Sequence, residues 1–119
     1  MGSKPKVLLV EDNADVRRLY AIGLNQRGFE VKLASNGAEA VDRVASERPD
    51  YILLDWLMPL MDGSEVVERL SANGASDIEI IVISGQPAPT ALPPRIRTWL
   101  TKPLTVDELV SEITRPRVG

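Results

Sequence analysis

Five polar side chains lie within two residues of the ends of apolar runs in this sequence, and their types could bind a metal ion and a phosphoryl group. The five are Glu11, Asp12, Asp55, Ser84 and Lys102. An uninterrupted apolar run, such as residues 51–54, is typical of a parallel strand buried on both faces. Because the carboxyl ends of parallel strands meet at one edge of a sheet, where ligands bind, we expect these side chains to lie together there.

Three of the five groups are carboxylates, and crowded carboxylates repel one another unless a cation or a proton neutralises them. The chain contains no histidine or cysteine, so the ligands it offers a metal are hard oxygens, which suit Mg²⁺. Lys102 could bind one oxygen of a phosphoryl group, and Ser84 could donate a hydrogen bond to another. An aspartate can act as a nucleophile and form an acyl phosphate, so the pattern indicates a phosphoryl acceptor at Asp55.

Strand and helix patterns alternate along the chain and predict the elements that hold these side chains. The predicted strands are residues 6–10, 29–34, 51–55, 78–83 and, more weakly, 95–100. The predicted helices follow capping residues, namely Asp12 or Asn13, Asn36, Asp62 and Thr105, and end at Gly28, Pro49, Asn73-Gly74 and Pro116. The alternation predicts an α/β fold, in which helices cover both faces of a parallel sheet.

The cap signals are specific, because a glutamate follows three of these residues at the third position, as in a capping box. The buried stripe predicted for the second helix comprises Ala40, Val41, Val44 and Ala45. Residues 86–94 depart from the alternation. They contain four prolines, which rules against a regular helix between the last two strands.

Composition narrows the class of protein. The 119 residues predict a single domain, residues 1–119, and 44% hydrophobic residues are enough for one core. A net charge of −3 gives no general attraction to nucleic acid or to an anionic membrane. No apolar run approaches the roughly 20 residues that span a bilayer, and no signal peptide is visible. We therefore expect a cytoplasmic protein that neither enters a membrane nor binds nucleic acid directly.

Taken together, the motifs resemble the receiver domain of two-component response regulators over nearly the whole chain, either as a stand-alone receiver or as a domain of a longer protein such as a hybrid histidine kinase. The matching elements are Glu11-Asp12, Asp55 with Met58-Pro59, Asp62-Gly63, Ser84-Gly85 and Lys102-Pro103. The resemblance implies a flavodoxin-like, doubly wound sheet of five parallel strands in the order 2-1-3-4-5. The segment between Ser84 and Lys102 is short for the family, so we expect a shortened or missing fourth helix and a changed output surface.

The resemblance also implies a role for each site residue. Asp55 matches the phosphoacceptor and a metal ligand, Asp12 a direct metal ligand, and Glu11 a ligand through water. Leu57 would offer its main-chain carbonyl to the metal. Lys102 matches the lysine that binds the phosphoryl group.

Three further positions match residues that change conformation or shape the site in the family. Ser84 matches the switch hydroxyl, and Trp99 matches the switch aromatic residue, which is usually a smaller tyrosine or phenylalanine. The bond before Pro103 is typically cis in this family.

The implied function is phosphorelay signalling. A sensor histidine kinase or a histidine phosphotransfer protein would phosphorylate Asp55 with Mg²⁺, and slow self-hydrolysis and a conformational switch would follow; the downstream partner is not identified. Two alternatives remain. One is a degenerate receiver that works as a non-phosphorylated interaction module. The other is an enzyme with an aspartyl nucleophile, such as a phosphatase, which is disfavoured because Leu57 occupies the position where such sites place a general acid.

Overall fold

A computed structural model describes residues 4–58, 61–72, 74 and 77–115. The strands are β1 Lys6–Val10, β2 Glu30–Ala34, β3 Tyr51–Asp55, β4 Glu79–Ser84 and β5 Ile96–Thr101. The helices are α1 Ala14–Gln26, α2 Gly37–Glu47, α3 Gly63–Ala72 and α4 Val106–Thr114. Parts of the sequence motifs, at Pro59, Asn73 and Pro116, lie outside the described residues.

The five strands form one parallel sheet in the order β2-β1-β3-β4-β5, which confirms the predicted topology. The central strands β1, β3 and β4 are buried on both faces, as their uninterrupted apolar runs predict. β4 and β5 each begin and end one residue later than predicted, so that Ser84 is the last residue of β4. Every strand therefore runs towards the same edge of the sheet.

Helices cover both faces of the sheet and enclose two apolar cores. On one face, α2 and α3 pack against residues such as Leu8 and Leu54. On the other face, α1 and α4 pack against residues such as Leu9 and Leu53. The buried stripe of α2 is narrower than predicted: Ala40 and Val44 are buried and Val41 is half-buried.

Ala45 is exposed, so its assignment to that stripe was wrong. It follows Val44 by one residue, and one residue rotates the side chain by about 100° around the helix, away from the core.

The predicted caps hold the helix starts. Asn13, rather than Asp12, caps α1 by accepting a hydrogen bond from the Val16 N–H. Asn36 caps α2 in the same way. Thr105 and Glu108 form a complete capping box at α4. These bonds satisfy the main-chain donors that a helix start leaves free, so they set where each helix begins after the carboxyl edge of the sheet.

Residues 85–95, between β4 and β5, form an irregular loop in which no residue is helical. The predicted loss of the helix at this position is thereby confirmed. Residues 85–92 and 94 of this loop are exposed. Among the described residues, none of the helices is long and apolar enough to cross a membrane.

Candidate functional site

The strand ends bring all five predicted polar side chains to one edge of the sheet. Asp55 and Ser84 are the last residues of β3 and β4. Glu11 and Asp12 directly follow β1, and Lys102 directly follows β5. Glu11 and Asp55 are buried and Lys102 is half-buried, so charged groups are held at the end of an otherwise apolar sheet.

Asp55 is the buried acid at the centre of the edge, with 7% of its surface exposed. Its Oδ1 accepts a hydrogen bond of 3.3 Å from the Leu57 N–H. Its Oδ2 lies 3.5 Å from Nζ of Lys102. One carboxylate oxygen is therefore directed to a main-chain donor and the other to a cation, so the carboxylate is held in a defined orientation.

Glu11 is still more buried, at 3% exposure, and each of its polar atoms has a partner. Its N–H donates to the Ala34 oxygen over 3.1 Å, and its main-chain oxygen accepts from Arg17 over 2.8 Å. Its Oε2 accepts from the Asn13 N–H over 3.1 Å, and its Oε1 accepts from Lys102 over 2.9 Å. Glu11 is consequently the most tightly held of the three acids.

The carboxylates of Glu11, Asp12 and Asp55 form a cluster in which one oxygen of each lies within 4.8 Å of the others. Burial, and then the negative charge of Glu11, raise the pKa of Asp55 from 3.8 to about 7, against the opposing effect of Lys102. A cation between the three acids would relieve this repulsion. The donors are oxygens only, and Asp12 is exposed, so the cluster fits a hard divalent cation such as Mg²⁺.

Lys102 is the cationic member of the edge. Burial lowers the pKa of its ammonium group, but the hydrogen bond to Glu11 and the charge of Asp55 outweigh that effect, so its pKa is raised overall. The main-chain N–H of Lys102 donates a hydrogen bond of 2.8 Å to the main-chain oxygen of Ser84, which ties the end of β5 to the end of β4. The Lys102–Pro103 peptide bond is cis.

The Ser84 side chain is fully buried beside these groups. Its Oγ accepts a hydrogen bond of 3.1 Å from the Gln86 N–H, so the hydroxyl proton can be directed to another acceptor. The Leu57 side chain is 54% exposed, so this residue contributes to the edge through its main chain.

The two tryptophans form a pair above this edge that the sequence did not predict. The rings of Trp56 and Trp99 lie 5.2 Å apart at an angle of 53°. The Trp99 indole N–H donates a hydrogen bond of 3.0 Å to the main-chain oxygen of Gln86, which connects β5 to the loop after Ser84. Trp99 packs partly buried against the core beneath the irregular loop.

Gly63 leaves room for the Trp56 ring at the start of α3. A Cβ atom added at Gly63 would lie 2.3 Å from Cε3 of Trp56. We expect Gly63→Ala to displace the indole from Trp99 and to reduce the free energy of unfolding by about 1–2 kcal/mol. Tryptophan emission and denaturant unfolding measure the two effects. Gly85→Ala is the control, since a Cβ there meets nothing within 4 Å; equal behaviour of the two variants would contradict the prediction.

A parallel sheet in this order, with an acid cluster, a serine and a lysine at its carboxyl edge, defines the class of signal-receiver domains. Residues 7–114 match the family described as "Response regulator receiver domain". The chain belongs to this family, and it is a receiver domain of a two-component response regulator.

The curated relatives agree with this family. "Response regulator MprA" of Mycobacterium avium is 34% identical over 112 residues, which are 91% of this chain and 49% of the relative. The protein of the same name from Mycobacterium tuberculosis strain H37Rv is also 34% identical, over 91% of this chain and 48% of the relative. The chain therefore spans about half the length of the curated relatives it matches, and the expectation of a single domain without direct nucleic-acid binding stays a prediction.

Solved structures share the fold closely. Chemotaxis response regulator CheY4 of Vibrio cholerae has a TM-score of 0.84 and 26% identity, over 93% of this chain and 97% of that chain. Response regulator protein TrrA from Thermotoga maritima, in complex with Mg(2+)-BeF, has a TM-score of 0.82 and 26% identity, over 92% and 96% of the two chains.

Proposed function

We propose that this receiver domain accepts a phosphoryl group on Asp55 from the phosphohistidine of a sensor histidine kinase or a histidine phosphotransfer protein, in a reaction that requires Mg²⁺. One observation carries the proposal. The ammonium group of Lys102 lies 2.9 Å from Glu11 and 3.5 Å from Asp55, beside a cluster of three carboxylates. This arrangement provides a nucleophile, an acid pair for a metal and a cation for a phosphoryl oxygen.

The metal fits the residues present. Asp12 and Asp55 would be its direct carboxylate ligands, Glu11 would act through water, and Leu57 would add its main-chain oxygen. Mg²⁺, when bound, would offset the negative charge of the acids and of the phosphoryl group. The Thermotoga receiver of similar fold in complex with Mg(2+)-BeF supports this choice of ion.

Transfer begins when a carboxylate oxygen of Asp55 attacks the phosphorus atom in line with the phosphohistidine nitrogen. A P–O bond forms to Asp55 as the P–N bond breaks, and the leaving imidazole keeps the bonding electron pair and takes up a proton. Lys102 then binds one phosphoryl oxygen, and the buried Ser84 hydroxyl donates a hydrogen bond to another. Both contacts favour the phosphorylated arrangement over the resting one.

Signalling would follow from a shift between two conformations of this edge. Ser84 and Trp99 are the proposed switch residues, because both contact Gln86: Ser84 accepts from its N–H, and the Trp99 indole donates to its oxygen. A movement of Ser84 towards the phosphoryl group would thus be transmitted to the irregular loop and to β5.

Slow self-hydrolysis would end the signal when water attacks the phosphorus in line: a P–O bond forms to water as the P–O bond to Asp55 breaks, which regenerates the Asp55 carboxylate and releases inorganic phosphate. We propose no broader phosphatase activity. The residue two positions after Asp55 is Leu57, whose exposed side chain supplies no proton to a leaving group.

The test is incubation with Mg²⁺ and acetyl phosphate, followed by intact mass measurement of the parent and of Asp55→Asn. We expect one phosphoryl group on the parent and none on the variant. The change removes the nucleophilic charge but keeps the shape of the side chain. Labelling that persists in Asp55→Asn would refute Asp55 as the acceptor.

The irregular loop favours a second candidate, an interaction module that works without phosphorylation, because the loss of a helix changes the usual output surface. A Mg²⁺ titration separates the two candidates. A non-phosphorylated module has no need of the metal, whereas a phosphoacceptor must bind it.

A further inference from the structure

Arg17 lies in the first turn of α1, where a cation is unfavourable because the N-terminus of a helix has partial positive charge. Its guanidinium nevertheless reaches back past the helix start, and Nη1 donates a hydrogen bond of 2.8 Å to the main-chain oxygen of Glu11. That length is typical of a charge-assisted hydrogen bond. This contact therefore stabilises the connection between β1 and α1 rather than the helix itself.

The oxygen that Arg17 binds belongs to the peptide unit between Glu11 and Asp12, the two acids next to Asp55. Because a peptide unit is planar, holding its oxygen fixes the directions that lead to both Cα atoms. The Glu11 side chain has two further restraints, from Asn13 and Lys102. The Asp12 side chain is exposed, so the direction of its carboxylate depends on the orientation of that peptide unit.

We infer that Arg17 is a positioning residue for Mg²⁺ binding, because it holds the peptide unit that directs the Asp12 carboxylate towards Asp55. The inference rests on the proposed function, since it requires the acid cluster to bind Mg²⁺. Arg17 touches neither the metal nor the phosphoryl group; it acts through Glu11 and Asp12. Residues that orient metal ligands from behind commonly change metal affinity by about ten- to a hundredfold when they are replaced.

A purely electrostatic role and a positioning role predict opposite effects on Mg²⁺ affinity. If the guanidinium acted only through its charge, its removal would relieve repulsion of a divalent cation, and Mg²⁺ would bind more tightly. If Arg17 orients the acids, its removal weakens Mg²⁺ binding even though a positive charge is lost. The sign of the change therefore decides between the two roles.

The experiment is a Mg²⁺ titration monitored by tryptophan fluorescence. Trp56 directly follows Asp55, so its emission should report Mg²⁺ binding. We expect Arg17→Met to bind Mg²⁺ about tenfold more weakly than the parent. Arg17→Lys retains a charged donor and should recover most of that loss. Arg18 is the exposed neighbour, so Arg18→Met matches the charge change and should bind at least as tightly as the parent.

Thermal unfolding with EDTA distinguishes weaker binding from a loss of the fold. Affinity of Arg17→Met equal to or tighter than that of the parent would overturn the role of Arg17 and leave the proposed function standing. A parent that binds no Mg²⁺ would overturn both. If Arg17→Met does not fold, Arg17→Gln and Arg18→Gln give the same comparison, and the inference requires weaker binding from Arg17→Gln.

Discussion

Asp55→Asn will raise the thermal stability of the metal-free protein, although it removes the carboxylate that we propose as the phosphoryl acceptor. Burial and the charge of Glu11 raise the pKa of Asp55 from 3.8 to about 7 in the folded protein. In the unfolded chain the carboxyl group keeps its ordinary pKa, so between about pH 4 and 7 the folded protein binds more protons than the unfolded chain. The free energy of unfolding therefore falls as the pH rises through this range. Asparagine is neutral at every pH and removes that fall.

The size of the effect follows from the two pKa values. Their difference corresponds to at most about 4 kcal/mol, and solvent screening at the edge of the sheet reduces it, so we expect a gain of about 2 kcal/mol above pH 8. In a domain of this size the melting temperature would rise by roughly 8 °C. The gain should shrink towards zero near pH 4.

Thermal unfolding in EDTA across this pH range measures the effect. Asp42→Asn is the matched control, because Asp42 is an exposed residue of α2, and we expect it to change stability by less than about 0.5 kcal/mol. A metal-free Asp55→Asn protein that is no more stable than the parent above pH 8 would show that burial and the charge of Glu11 do not raise the pKa of Asp55 as described.

Lys102→Met should destabilise the metal-free protein by about 3 kcal/mol, because it leaves the buried Glu11 and Asp55 carboxylates without their cation. The loss should be smaller when Mg²⁺ is saturating, since the metal then neutralises the same acids. Thermal unfolding with EDTA and with Mg²⁺ measures the difference. We also expect Mg²⁺ to bind more tightly to Lys102→Met than to the parent, because the ammonium group no longer competes for the carboxylates.

Lys32→Met provides the control for removing a paired lysine whose side chain is half-buried at the surface. Lys32 lies 3.9 Å from Glu47 on the surface, where an ion pair contributes less than about 1 kcal/mol. A loss of stability in Lys102→Met that is the same with and without Mg²⁺ would assign Lys102 to packing alone. In the double variant with Asp55→Asn, the effect of Lys102→Met should be smaller, since the two residues interact directly.

The sheet was predictable from the sequence because parallel strands buried on both faces leave a signal that few other structures produce. The runs at residues 6–10 and 51–55 coincide with β1 and β3, whereas β4 and β5 both begin and end one residue later than predicted. In β4, the polar Ser84 continues the strand beyond the apolar run. β5 lies at the edge of the sheet and mixes polar with apolar residues, so its ends are weakly marked. The irregular loop at residues 85–95 was predictable because its four prolines exclude a regular helix.

The candidate site was predictable as a set of residue types but not as a set of contacts. Strand ends place Asp55, Ser84 and Lys102 at one edge whatever the details of packing. The Trp56–Trp99 pair joins the loop that follows β3 to strand β5, and no local sequence pattern determines such a contact. Arg17 left only a weak signal, namely a cation in the first turn of a helix.

The buried ion pair between Glu79 and Arg97 also escaped prediction. Each residue alone is an ordinary charged side chain in a strand pattern, and only the pairing of β4 with β5 shows that both are largely buried. Arg97 additionally donates to the Arg115 oxygen at the end of α4, which ties the last helix to the sheet.

The irregular loop gives this domain a place to accept new sequence. Residues 85–92 present their side chains to solvent, so an inserted peptide there would break few contacts of the core. Lengthening a loop costs little chain entropy, about 0.6 kcal/mol for each doubling. The anchors on either side, the Ser84–Gln86 hydrogen bond and the Pro93 oxygen bound by Ile96, lie outside residues 87–92. An epitope or a recognition peptide spliced between Ala88 and Ala91 would thus be displayed beside the edge of the sheet that holds Asp55 and Ser84, on a scaffold whose sheet needs no redesign.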